Sequence, residues 1–416
     1  MLKRYKLWHL ILFFTAVIIL GNISFLINIS KLFFHFIILL TENFETASAQ
    51  INLSLIDHFI SLLLIILIPV ITIIKRKSDF LQKNLSFSIF IVSFLMIIFL
   101  FAPLLTQFHP DFQKDLRVTK LLPPLSKVYF LMKDYQEENT IPDFFSLKKK
   151  IIKESFNENI IIADSVSSSS NKIYYQKQKE YKAENIVSVE SKIYLLGTDE
   201  FGRDVFTRLV YGTRISLFVG LGAVTLTLLL GVSLGFLAGY NGGFIDSVLS
   251  RITEMFLSFP IIFLIILILA LFGNSLLTVI IVLGFSGWMS LFKIVRSEVI
   301  SIKQKEYFIS AKLSGLNLSS LLMKEIFPVI LAPVVVNLVF QYGNVILAES
   351  ALNYLGLGTG NVYPSWGGMI EAGQQYLTDA WWMIFFPGAA LFITLYTANS
   401  LGRELNLHFN PRLQND

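Results

Sequence analysis

Asn337, Gln341 and Asn344 stand at i, i+4 and i+7 in an otherwise apolar run, a spacing that stacks three amides on one helix face. Amides so placed offer hydrogen bonds to a polar chain passing by, or they tie neighbouring helices together, and the spacing serves both equally. Glu349 follows, positioned either to bind a cationic group or to pair with an arginine. Upstream, Asp199, Arg203 and Asp204 lie among Gly197, Thr198 and Gly202, so the charges can close a compact knot whose turns the glycines allow. Catalytic sets are missing. The histidines at 9, 35, 58, 109 and 408 show no ligand spacing, Ser350 and other serines lack a His–acid set, and cysteine is absent. No G-x-x-x-x-G-K-[ST] phosphate loop occurs, and Gly356, Gly358 and Gly360 do not sit between a strand and a helix. No cofactor, metal or enzymatic activity is expected, and ATP hydrolysis by this chain is not.

The elements that must carry these residues are membrane helices. The chain is 54% hydrophobic and 15% charged with a mean hydropathy of +0.65, too apolar for a soluble protein of 416 residues. Apolar runs of bilayer length fall near 8–29, 55–74, 86–106, 214–240, 256–273, 276–295, 329–348 and 380–400, about eight spans. Residues 31–40 suit an interfacial helix or a continuation of the first span. Lys3, Arg4 and Lys6 place the N-terminus in the cytoplasm, Lys75-Arg76-Lys77 returns the chain there, and the C-terminal tail with Arg403 and Arg412 also falls inside. The net charge of +5 reflects such flanks; no nucleic-acid surface is expected, because no basic stripe with interleaved aromatics occurs. Residues 107–195 break the pattern, rich in Lys, Glu, Ser and Tyr, and read as a partly ordered extracytoplasmic insertion with a flexible serine section at 167–170. Gly231, Gly235 and Gly239 stack small residues on one face for close helix packing, Pro260 breaks the entry to the fifth span, and Trp381 and Trp382 with Tyr376 anchor the last.

Between two apolar segments lies a polar island, EYFISAKLSGLNLSSLLMKEIFP, from Glu306 to Pro328. Ala311 and Gly315 are four apart, so a partner backbone can approach closely at that face. Gly315 suits a helix stop, and Asn317 caps a second short helix that ends near Pro328. The pattern is a helix-turn-helix standing out of the membrane, shaped to be gripped from the cytoplasm.

This island resembles the EAA loop of ATP-binding-cassette (ABC) importer permeases. Gly315 and Pro328 match, Ile309-Ser310-Ala311 stand for Glu-Ala-Ala, and Glu325 and Phe327 replace Ile and Leu. Residues 196–217 are similar to the segment before the second span of C-type permease subunits of dipeptide/oligopeptide ABC importers. The matching positions are Gly197-Thr198-Asp199, Gly202-Arg203-Asp204, Arg208, Gly212 and Arg214. The segment 346–377, with Glu349, Leu355 to Gly358, Pro364 to Gly367 and Gly373, is similar to that between the last two spans, and 410–413 to the closing motif. The resemblance covers roughly 85–106 and 196–416, leaving 1–80 and most of 107–195 as departures from the usual six-span subunit.

The resemblance implies an all-α polytopic type I importer permease in the cytoplasmic (inner) membrane, with two extra N-terminal spans. Its parts would be the extension 1–80, a first core helix 81–106, the insertion 107–195 and the transmembrane domain 196–416 with a coupling loop at 300–328. Glu306, Tyr307, Ala311, Gly315 and Pro328 would couple to the ATPase, while Asn337, Gln341, Asn344 and Glu349 would line the path. Gly197, Thr198, Asp199, Gly202, Arg203 and Asp204 would form an outer gate or docking element, although a salt-bridged helix entry explains any one of them as well. Implied partners are a homologous B-type permease, two cytoplasmic ABC ATPases, an extracytoplasmic solute-binding protein and a peptide substrate. A nickel chelate or peptide-like antibiotic could replace the peptide on the same fold. An ion-driven secondary transporter would need coupling carboxylates at mid-membrane, where Asp and Glu are nearly absent.

Overall fold

The computed structural model describes residues 6–78, 86–106, 108–133, 144–152, 160–169, 172–177, 180–184, 186–358 and 363–409. Lys3, Arg4, Gly360, Ser170 and the closing motif at 410–413 lie outside them. The N-terminal part holds α1 (Leu7–Gly21), α2 (Ile23–Glu42), α3 (Phe44–Ala49), α4 (Leu53–Ile74) and α5 (Phe87–Leu105). The insertion follows with α6 (Leu116–Thr119), β1 (Ser126–Lys133), α7 (Phe144–Ile151), β2 (Ile160–Ala163), β3 (Ser165–Ser169), β4 (Lys172–Lys177), β5 (Glu180–Glu184) and β6 (Ile186–Tyr194). Then come α8 (Val205–Asn241), α9 (Gly243–Ser258), α10 (Ile261–Phe272) and α11 (Leu276–Lys303). The chain closes with α12 (Glu306–Leu313), α13 (Leu318–Ser320), a π-helical turn at Leu321–Ile326, α14 (Phe327–Tyr354), α15 (Trp366–Gly373) and α16 (Trp382–Phe409).

Among the described residues seven helices are long and apolar enough to cross a bilayer, and an eighth span arises if α9 and α10, bent by 87°, count as one. The bend falls at Phe259-Pro260, where proline removes a donor and fixes φ, so the expected span 256–273 is a broken one. The first expected span, 8–29, is corrected too. Gly21-Asn22 ends α1 after 15 residues, the Asn22 amide donating back to the Ile18 carbonyl at 3.2 Å, and a separate helix begins at Ile23. Among the described residues, six strands lie between α5 and α8, beside an otherwise helical chain.

Contacts divide the chain into two units, Met1–Arg214 with Ala372–Gly388, and Ile215–Glu371 with Ala389–Asp416. In the first, Ile29, Leu32, Leu55, Phe101 and Phe144 form the centre of one core shared by α2, α4, α5 and α7. Phe25 and Phe36 lie 6.2 and 5.5 Å from the rings of His58 and Phe59, one turn of α4. Those two phenylalanines are about 16 Å apart along their own helix, so α2 lies across α4 rather than beside it.

The insertion packs on its own terms. β1 sits between β2 and β6, antiparallel to both, over a core of Phe108, Phe112, Val128, Phe130, Ile162 and Tyr194. Ser167 to Ser169 of the section expected to be flexible lie in strand β3, paired antiparallel with β4 from Ser165↔Gln176 to Ser169↔Lys172. Backbone ladder bonds hold it, and these ask nothing of side-chain hydrophobicity.

In the second unit α8 and α11 run parallel with glycines from both helices in the contact. A Cβ on Gly231, Gly235 or Gly239 would lie 2.7, 2.9 and 2.9 Å from Leu291, Phe292 and Arg296, and one on Gly284 would lie 2.8 Å from the Ala223 carbonyl. The expected small-residue face is therefore a packing seam.

Candidate functional site

The loop between α11 and α14 is pinned from beneath and bare on top. Phe308, Leu321 and Ile326 are buried with Val299, Ile302 and Ile330, so both arms are anchored in the core at the ends of the long helices. Gly315 adopts φ +80° immediately after the α12 cap at Ser314, the left-handed stop its type allows. Asn317 then caps α13, its side-chain oxygen accepting from the Ser320 N–H at 2.8 Å. Glu306 opens α12 in its first turn, and Pro328 sits in the first turn of α14, where a missing N–H costs nothing. Ala311 packs partly into the core under the loop, whereas Gly315 lies past the helix end in open space, so the two do not make one stacked docking face. The exposed top mixes apolar and charged side chains: Leu313 is 82% exposed and Met323 61%, with Tyr307, Ile309 and Leu318 exposed too, and Lys305, Glu306, Lys312 and Lys324 among them. Apolar side chains clustered on a loop invite a protein partner.

The amides of α14 take different surroundings. Gln341 leans over Gly287 of α11, whose missing Cβ leaves room for the amide beside Thr227, while Asn337 is half-buried and Asn344 exposed. Glu349 leaves the stripe altogether. It is fully buried, accepting from Asn353 Nδ2 at 2.5 Å, Ser216 Oγ at 3.3 Å and Ser350 Oγ at 3.4 Å. Neutral donors, rather than an arginine, hold this carboxylate among the described residues. The placement ties α14 to α8.

The Asp–Arg knot is closed upon itself. Asp199 accepts from the Arg203 guanidinium at 2.6 Å and from the Phe201 and Arg203 N–H groups at 2.9 and 2.8 Å. Asp204 accepts from the Thr207 hydroxyl at 2.9 Å and from Lys192 at 3.4 Å, and Thr198 pairs with Asp204 across a single β-bridge. Gly197 and Gly202, at φ +79° and +70°, turn the chain so tightly that a Cβ would meet the Leu122 carbonyl at 2.5 Å and the Thr119 hydroxyl at 2.1 Å. Trp382 Nε1 locks the knot by donating to the Thr198 carbonyl at 3.0 Å. The charged residues of the knot bond to one another and to Lys192 and Thr207 nearby, the geometry of a salt-bridged helix entry.

One group in the knot is badly served. Glu200 has a buried carboxylate oxygen without a hydrogen-bond partner, and burial, with the Asp199 charge beside it, pushes its carboxyl above the usual range. A raised acid is stabilising when protonated, so stability falls as pH rises through the folded value. Glu200→Gln should therefore be more heat-stable than the parent by ~1 kcal/mol at pH 7. The gain should shrink as pH drops through the carboxylate range; a gain independent of pH in thermal melts would refute the assignment.

Comparison with known proteins fits this geometry. The family model for the binding-protein-dependent transport system inner membrane component matches residues 231–415, which hold the loop, the amides and Glu349. The dipeptide transport system permease protein of Alkalihalophilus pseudofirmus is 37% identical over 235 residues, 56% of this chain and 77% of that protein. Its Bacillus subtilis counterpart is 40% identical over 219 residues, 52% of this chain and 68% of that protein. The oligopeptide transport system permease protein of Bacillus subtilis is 34% identical over 238 residues, 56% of this chain and 78% of that protein. The chain belongs to this permease family.

The permease also carries a link that its sequence did not reveal. Pro103 in α5 has no N–H to give the Phe99 carbonyl, and Phe101 leaves helical geometry, so carbonyls on that turn lose their partners. Arg214 of α8 fills the gap, donating to the Phe99 carbonyl at 2.6 Å and the Leu100 carbonyl at 3.1 Å. Its remaining face pairs with Asp57 of α4. The α4 helix is thus bonded to α8, which runs on into the residues that the family model matches. Asp57 was findable as the one acid in a strongly apolar helix; Ser216 and Asn353, the partners of Glu349, carried no such signal.

Proposed function

We propose that this chain is a membrane-spanning subunit of an ATP-driven importer of di- or oligopeptides, forming half of the path and working with a homologous B-type permease. Two cytoplasmic ATPases and an extracytoplasmic solute-binding protein complete the assembly, with both termini of this chain in the cytoplasm. Lys6 before α1 and the Lys75-Arg76-Lys77 cluster after α4 support that orientation. The names of the relatives support the peptide class. The observation that carries the reading is the loop at 306–328, which exposes apolar side chains such as Leu313 and Met323 above and buries Phe308 and Ile326 below with the ends of α11 and α14. When the ATPase dimer closes on nucleotide, a push on Leu313 and its neighbours would pass through Phe308 and Ile326 to those two helices. The spans would then exchange inward- and outward-facing arrangements, and Asn344 with its neighbouring amides would offer hydrogen bonds to a peptide backbone without selecting a side chain.

The test is ATP-dependent peptide uptake in vesicles carrying the full complex, with three variants of this chain. Asn tolerates the left-handed region, so Gly315→Asn should transport normally. Gly315→Arg and Leu313→Glu place charge on the proposed contact and should cut uptake at least about tenfold while ATPase binding weakens. Normal uptake in both charged variants, with the ATPase still bound, would remove the loop from the coupling path.

A further inference from the structure

A groove of about 720 Å³ opens where α2 lies across α4. Its walls are aliphatic: Ile23 and Ile27 from α2 face Ile65 and Ile66 from α4, with Ile65 as a buried floor and Ile66 59% exposed at the lip. Lipid-facing surfaces are apolar everywhere, so these walls alone select nothing. The unusual residue is Lys31, which also lines the groove. It is the only charge on α2 before its last residue, and His35 stands one turn further along the same face. No acidic side chain is ion-paired with Lys31 among the described residues, and none lines the groove. A lysine inside a helix this apolar is costly unless something anionic meets it, and its long stem can lie along the apolar wall while the ammonium reaches the rim.

We propose that this groove binds one anionic phospholipid, an acyl chain between α2 and α4 and the headgroup phosphate on Lys31. Crossed helices leave a wedge that neither fills, and its volume lies in the range of ligand sites. A cation beside an acyl-sized cleft is the pattern that recognises acidic headgroups between helices. The lipid would then complete the surface of an extension that the family model does not reach.

Native mass spectrometry of the full-length chain, with phosphatidylglycerol and phosphatidylcholine of equal chain length added together, tests this. The parent should retain phosphatidylglycerol over phosphatidylcholine by about fivefold. Lys31→Gln should abolish the preference, Lys31→Arg should keep it, and Ile66→Trp, which plugs the cleft, should reduce retention of both lipids. Equal retention of the two lipids by the parent, or an unchanged preference in Lys31→Gln, would overturn the proposal. So would crosslinking from Ile27 that captures a protein helix in place of lipid.

Discussion

Arg214→Ala is expected to destabilise the permease by ~3 kcal/mol, because one side chain serves a proline kink and an ion pair together. Removing it strips the Phe99 carbonyl of its donor at the bend before Pro103, leaves the Leu100 carbonyl with the Ser61 hydroxyl alone, and leaves the Asp57 carboxylate without its partner. Arg214→Lys should rescue little, since a single ammonium cannot reach two carbonyls and a carboxylate in fork geometry. Asp57→Asn should cost less than Arg214→Ala, the carbonyls keeping their cap. Thermal unfolding in detergent of the purified full-length chain measures all three. An Arg214→Ala melting temperature equal to the parent's would show that the kink is satisfied elsewhere.

Gly235→Leu should be comparably damaging. Its Cβ would stand 2.9 Å from the Phe292 carbonyl oxygen and from Val295 Cβ, a backbone atom and a branched side chain that cannot swing aside. Overpacking at a helix contact of this kind costs about 3 kcal/mol. Gly388→Leu is the matching control, because nothing lies within 4 Å of the Cβ it would add. Folded protein recovered from membranes should fall sharply for the first variant and stay level for the second. Equal recovery would mean that the two long helices part easily.

The contrast between these residues shows how far the sequence could be read. The glycine triplet announced its packing role because helical spacing alone puts 231, 235 and 239 on one face. The loop was equally open to reading, since a glycine stop, an asparagine cap and a proline start are local signals. What escaped depended on partners distant in the chain. Arg214 stood out in a motif, yet its purpose lies with Asp57, 157 positions away. Glu349 seemed to belong with the amides, but its five-residue offset from Asn344 swings it toward Ser216 and Asn353. The β3–β4 hairpin was hidden for a different reason. Its strands are serine- and lysine-rich, so the alternation that usually marks a strand is weak.

The glycine seam also limits how the chain can deform. Where backbones touch through missing side chains, neither helix has a cushion, and a slide of one residue would drive Val295 or Val299 into the opposite main chain. The α8–α11 pair must therefore travel as a welded beam. Compliance has to sit where the chain is unbraced, at Gly242 and Gly243 on one side of the α9–α10 elbow and Gly273 on the other. All three have positive φ and nothing within 4 Å of a Cβ position. Spin labels on the beam should keep their spacing through a transport cycle, while labels across the elbow change theirs.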